Sequence, residues 1–457
     1  MKKKYFIIIF IFLNLLMWGQ KINFNIKYSE PLAVFIFMQN LSENYPENIF
    51  KAEFKKSKYN NDIYKNLIIK FDNLAIDYSY QFEEFPYASK TPMQTRDILK
   101  KNLIASNSLE DFKLRSTGIL PNNVLIDLTA YIKSFTPVYN ELIYRPHKEK
   151  FEKQLAEIKD YANNSQLEDY FEKGLLFYHS SWDPSIPFEI AFYPFPESDY
   201  FTAQAFYNNF VSAIQTNLND YKDLFSVMMH ETYHIIYNEQ TMAFKVQIDE
   251  AFKKNPSKYS NYAYLLMNEV LATALGNGYV YENLNGKQDI NDWYNHKYID
   301  QMARKIYPLV KQYIEEKKSI DKNFVNHYID LYESNFPSWI NESQNLMTYR
   351  YIMSENKNDF KTIRRKFRFR SMEENESEIS SASIDNMKKT PLTKVVIISK
   401  DSEQKLSLIK SKFTELEKWK YPSDQEFVQK FFLDDKSQLI IINHKKSSLD
   451  KILEMID

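Results

Sequence analysis

The chain has 457 residues, a formal net charge of −1, 44% hydrophobic residues, six glycines and no cysteine. A chain this long and this apolar can bury two or three cores, which excludes wholesale disorder; near-neutral charge excludes a global basic field for nucleic acid; and the absence of cysteine excludes disulfides and thiolate metal sites. So few glycines leave little room for tight positive-φ turns or phosphate-cradling loops, which favours an α+β, mostly helical chain over a many-hairpin one.

Lys2–Lys4 precede "YFIIIFIFLNLLMW" and Gly19, the basic, apolar and small-residue order of a signal peptide spanning 1–19. The apolar run falls short of the ~20 residues that cross a bilayer, so export to the periplasm or medium is expected, with membrane attachment only if the segment is retained. "KINFNIKY" alternates Ile22, Phe24, Ile26 and Tyr28 and reads as a strand, and "EPLAVFIFMQNLSE" as a buried helix entered at Pro31. "NLIIKFDNLAIDYSY" fits helix and strand equally. Helical periodicity covers 122–178, and residues 20–180 form a first, mixed region.

A second region, 181–360, opens with the aromatic strand "PFEIAFYPF". "FTAQAFYNNFVSAIQ" follows as a strand and helix or as one helix. Helices are expected over 222–238 and 261–275, with Gly276 and Gly278 placed to end the second, and Pro308 placed to kink a third, "HKYIDQMARKIYPLVKQYIEEKK". From Arg364 a basic cluster and an acidic, serine-rich run read as a polar linker, 361–390. Beyond it, "KVVIIS", Glu403–Trp419, "QLIIINH" and "LDKILEMI" read as a small α/β unit, 391–457.

The chemistry concentrates in "SVMMHETYHIIYNE", residues 226–239. His230 and His234 lie one helical turn apart on one face and can point at a single ion. Glu231 is turned about 100° away and reaches a water beside that ion instead. Zinc accepts neutral imidazole and lowers the pKa of water toward ~7, so the carboxylate can take the proton. Within 224–238 the only formally charged side chain is Glu231, and an unpartnered carboxylate in so apolar a helix is costly. The alternative is a core helix whose two histidines are merely hydrogen-bonded.

A third ligand is needed. Tyr237 and Gln240 stand where one class of such sites places a glycine and a third histidine, so that class is rejected. Glu269 is the only charged residue between Tyr259 and Tyr281, set among Leu265, Leu266, Met267, Val270 and Leu271, and a carboxylate so isolated wants a cation. Glu239, Asp249 and Glu250 compete from more polar surroundings, and Asn268 and Thr273 flank Glu269 as outer partners or as packing. "HETYH" followed by "NEVLATAL" resembles the gluzincin group of zinc metallopeptidases, over about 187–308. The resemblance implies a zincin-like domain with a small sheet beside the zinc helix, zinc on His230, His234 and Glu269, Glu231 as general base, and a peptide or protein substrate. It also implies an aromatic strand that pairs with extended substrate, for which "EIAFYPF" is placed. His234 and Glu269 stand 35 positions apart, Lys254 fills the shorter-spaced position, and the Gly-x-Met-Glu-Asn signature is missing, so exo- and endopeptidase action both stay open. Tyr294, His296 and Tyr298 can each donate to an oxyanion, Tyr298 being favoured; His147, His179, His327 and His444 read as structural or surface. Other classes are a zinc hydrolase of a non-peptide amide or ester, and an exported binding protein with a non-catalytic zinc.

Overall fold

The structure is a computed structural model that describes residues 22–82, 84–87, 92–196 and 202–456; the signal-peptide reading of 1–19 lies outside the described residues. The chain is mixed α/β, about 56% helical, with small sheets. No described helix is long and apolar enough to cross a membrane. Two compact units form, 1–82 with 91–240 and 275–289, and 83–90 with 241–274 and 290–457.

In the first unit, β1 (Phe24–Tyr28) leads directly into α1 (Glu30–Leu41). Ser29 caps α1 by accepting from the Leu32 N–H, and Pro31 sits in the first turn, where its missing donor is harmless. Seven consecutive residues, Leu32 to Met38, are buried, so α1 is a core helix with no polar face. The ambiguous stretch resolves into a helix ending at Asp72 and the short ribbon β2 (Ser79–Gln81) with β3 (Pro92–Gln94). Helical periodicity over 122–178 becomes α2 (Asn122–Tyr139), a π turn with a further helix, and α3 (Leu167–Tyr178).

The main sheet of this unit joins β4 (Phe188–Phe195), β5 (Ala203–Phe206) and β6 (Asn209–Gln215) to β1, in the order β1-β4-β6-β5. β1, β4 and β6 run parallel and β5 antiparallel. Two expectations fail here. The described residues of "FTAQAFYNNFVSAIQ", 202–215, form a β-hairpin with no helix; Tyr207 takes the left-handed turn position (φ 54) that a glycine would usually mark. β4 lies inside the sheet, between β1 and β6, so residues 189–192 are already paired on both sides and it is no edge strand for a substrate to extend. The edge strand running beside α4 (Lys222–Asn238) is β5. Since β1 pairs with β4, a boundary at residue 180 divides one sheet.

The second unit contains α5 (Met242–Lys254), α6 (Ser260–Thr273), α7 (Lys297–Glu315) and α8 (Lys322–Asn335). α7 continues through Pro308. Its sheet holds β7 (Tyr349–Ser354), β8 (Met372–Glu376), β9 (Thr393–Ile398), β10 (Phe427–Phe432) and β11 (Gln438–Asn443), in the order β10-β11-β9-β7-β8. All strands but β10 are parallel. Between them lie α9 (Lys357–Lys366), α10 (Ser381–Lys388) and α11 (Ser402–Lys412). The segment 361–390 is therefore no linker: it holds β8 and α10 and buries Ile363, Phe367, Ile384 and Met387. Its polar look arises because only one face of each short element turns inward. The α/β unit accordingly begins at β7, well before residue 391.

Candidate metal centre

α4 is tethered through its C-terminal half. The Tyr233 hydroxyl donates to the Tyr170 carbonyl of α3 at 3.1 Å, and Ser180 Oγ donates to the Ile236 carbonyl at 2.7 Å. Leu224, Phe225, Met228, Met229, Tyr233, Ile235 and Ile236 are buried. Val227, Glu231, His234 and Asn238 are only half-buried. Their spacing of four, three and four traces one stripe along the helix, which carries Glu231 and His234, with His230 buried beside it.

On that helix the Nε2 atoms of His230 and His234 lie 3.2 Å apart, with rings at 81°. Two nitrogens held at ~2.0–2.1 Å from a tetrahedral zinc stand about 3.3 Å from each other, so the pair already has the edge length of a zinc coordination shell. A ring–ring hydrogen bond would also span 3.2 Å; the third residue separates the two cases. One ligand atom from each of His230, His234 and Glu269 lies within 4.8 Å of the others. Two neutral imidazoles and one carboxylate, with no thiolate, are the donor set of a hydrolytic zinc rather than of a closed structural one.

Glu269 owes its place to an unbroken helical run. Gly276 and Gly278 do not end α6: the chain passes into a π-helical segment, Ala274–Val280, then a last α-helical stretch, Tyr281–Asn285. The run stops at Gly286, whose φ of +72° is the left-handed exit that glycine makes without strain. Gly276 does something else. A Cβ built there would stand 2.6 Å from N, Cα and Cβ of His230, and the Ser226 hydroxyl donates to the Gly276 carbonyl at 3.1 Å. Backbone therefore packs on backbone at the first histidine, and Glu269 sits two turns upstream on the same rod.

The other expected residues have partners of their own. Tyr298 is buried, and its hydroxyl donates to Glu342 Oε2 at 2.6 Å, with Lys297 on the same carboxylate. A hydroxyl so engaged must leave a carboxylate before it can serve an oxyanion. His296 stacks on Phe369 at 3.8 Å, and Tyr294 meets the same ring edge-on; burial, helped by the Lys297 charge, pushes His296 down to about 4, so it is a neutral imidazole at ordinary pH. Among the competitors for the third ligand, Asp249 pairs with Lys253 at 2.7 Å and Glu250 with Lys254 at 2.6 Å. Two residues escaped sequence reasoning, Ser226 and Gly276. A serine and a glycine signal nothing until the partner backbone is known.

No protein-family model matches the chain, and no curated protein or solved structure matches it significantly.

Proposed function

We propose that this protein is a zinc-dependent hydrolase of peptide bonds, of the gluzincin kind, built on a zincin-like domain. The observation that carries the reading is the gathering of His230, His234 and Glu269 within 4.8 Å, with a general-base candidate, Glu231, next to His230 in the chain. Zinc held by those three residues would supply a Lewis acid for the scissile carbonyl and an acidified water. Glu231 projects from the next position of the helix, outside the ligand set. It takes the proton from the attacking water and returns it to the leaving amine. The edge strand β5 beside α4 would offer main-chain donors and acceptors to an extended peptide, a mode that recognises backbone and not side chains. That suits protein substrates of varied sequence, in an exported chain.

The test is zinc content and cleavage of an unfolded protein by the purified chain, with and without chelator. Glu231→Gln should keep its zinc and lose ~10²–10⁴-fold in turnover. An unaltered rate in that variant, or a wild-type chain that takes up no zinc, would overturn the reading. Zinc uptake with hydrolysis of small esters or amides but never of peptides would move the substrate class instead.

A further inference from the structure

We infer that the strap Lys366–Arg370, between α9 and β8, is a docking site for a short, extended, acidic segment of a protein partner, with Arg368 and Arg370 as its two guanidinium forks. The inference does not rest on the hydrolase reading.

The chain uses arginine sparingly. Of 59 lysines and arginines only nine are arginine, yet four of the nine, Arg364, Arg365, Arg368 and Arg370, fall within seven positions. A guanidinium grips a carboxylate with two parallel N–H donors, which an ammonium cannot do, so arginine matters where such a group is recognised. Two of the four are engaged within the fold. Glu373 takes Arg364 Nε at 2.6 Å as well as the buried Arg350, and Asp450 takes Arg365 Nη2 at 2.7 Å. Arg368 and Arg370 are exposed, and neither forms an ion pair among the described residues.

The strap is held from behind. Phe367 is buried and its carbonyl accepts from Arg350 Nη1 at 3.1 Å, while Phe369 stacks on the His296 ring at 3.8 Å. Phe367 is buried, Arg368 exposed, Phe369 half-buried and Arg370 exposed, which is the alternation of extended chain. Both guanidinium groups therefore leave one face, with roots about 6.6 Å apart, and Lys366 is exposed just before them. Carboxylates on alternate residues of an extended peptide repeat at that same distance, so one can meet each fork. Other polyanions fit less well. Both phenylalanine rings are engaged behind the strap, which leaves it no apolar side chain to enter a lipid surface and no free ring to stack on a base. The cationic stretch is also short: Glu374, Glu376 and Glu378 follow it and would repel a longer anion.

The test is binding of the full chain to a fluorescein-labelled peptide of alternating glutamate and serine, read by anisotropy at low salt. The double variant Arg368→Gln/Arg370→Gln should weaken binding about 10-fold. Lys418→Gln/Lys420→Gln removes two exposed charges, also two positions apart, elsewhere in the same unit, and should leave binding unchanged. Equal losses in the two double variants would reduce the effect to general charge and overturn the inference. Wild-type affinity in the arginine variant, or no binding of the peptide by the wild-type chain, would overturn it too. Arginine-dependent binding to vesicles containing phosphatidylserine, without binding to the peptide, would overturn it in favour of a membrane surface.

Discussion

Glu231 and His234 are half-buried on a helix most of whose residues are buried, so these two side chains are open to a ligand where their neighbours only pack. His230 is buried beside them, so only one ring of the pair reaches the accessible stripe. The same scale yields a pH prediction. His296 is held near 4 when folded and returns toward ~6.5 when unfolded, so the unfolded chain binds the extra proton first. The stability tied to neutral His296 is complete above pH ~6.5 and is lost as pH falls through about 4. Thermal unfolding followed between those values should therefore show a steeper acid loss in wild type than in His296→Gln; parallel curves would show that burial against Phe369 does not control the imidazole.

At the scale of elements, the decisive contact is the approach of the Ala274–Val280 segment to α4. Gly276→Ala would put a methyl 2.6 Å from main-chain atoms of His230, which cannot rotate aside as a side-chain tip could. The helices must part, at a destabilisation of about 1–3 kcal/mol. Because the displaced rod also carries Glu269, zinc affinity should fall along with the unfolding temperature. Wild-type values for both would mean the rod is not what sets the ligand's position. The α/β sheet offers a contrast. Its parallel strands reverse direction of winding between β7 and β9, the place where open α/β sheets commonly bind ligands. Here the chain's own groups occupy it: Ser354 Oγ donates to Asp359 at 2.6 Å, and Lys405 Nζ to Glu355 at 2.7 Å and to the Lys400 carbonyl at 3.0 Å. The sheet serves α6 through the opposite, N-terminal ends of its strands, where Pro391 and Thr393 hold Asn261 and Tyr262.

For the whole molecule, zinc that binds only the folded chain stabilises it by mass action, about 2.7 kcal/mol when free zinc is 100 times the dissociation constant. The unfolding temperature should rise with zinc in wild type and in Glu231→Gln, and much less in His230→Ala or Glu269→Gln. A rise of equal size in all four would place the stabilising ion elsewhere. How much of this was legible beforehand follows from how far each signal reaches along the chain. His230, Glu231 and His234 are neighbours on one turn, so their spacing alone defines a face. Glu269 was legible as a lone charge in an apolar helix, because burial leaves a compositional mark. The strand and helix periods of β1, α1, β4 and α4 were equally local. By contrast, the hairpin of β5 and β6, the interior position of β4, the inclusion of β7 and β8 in the α/β sheet and the engagement of Tyr298 by Glu342 each depend on a partner far away in sequence. So do the run of helix through Gly276 and the ion pairs that engage Arg364 and Arg365 but not Arg368 and Arg370. Side-chain chemistry and its period are properties of a segment and can be read from it; edges, registers and ion pairs are relations between segments, and only the folded chain decides them.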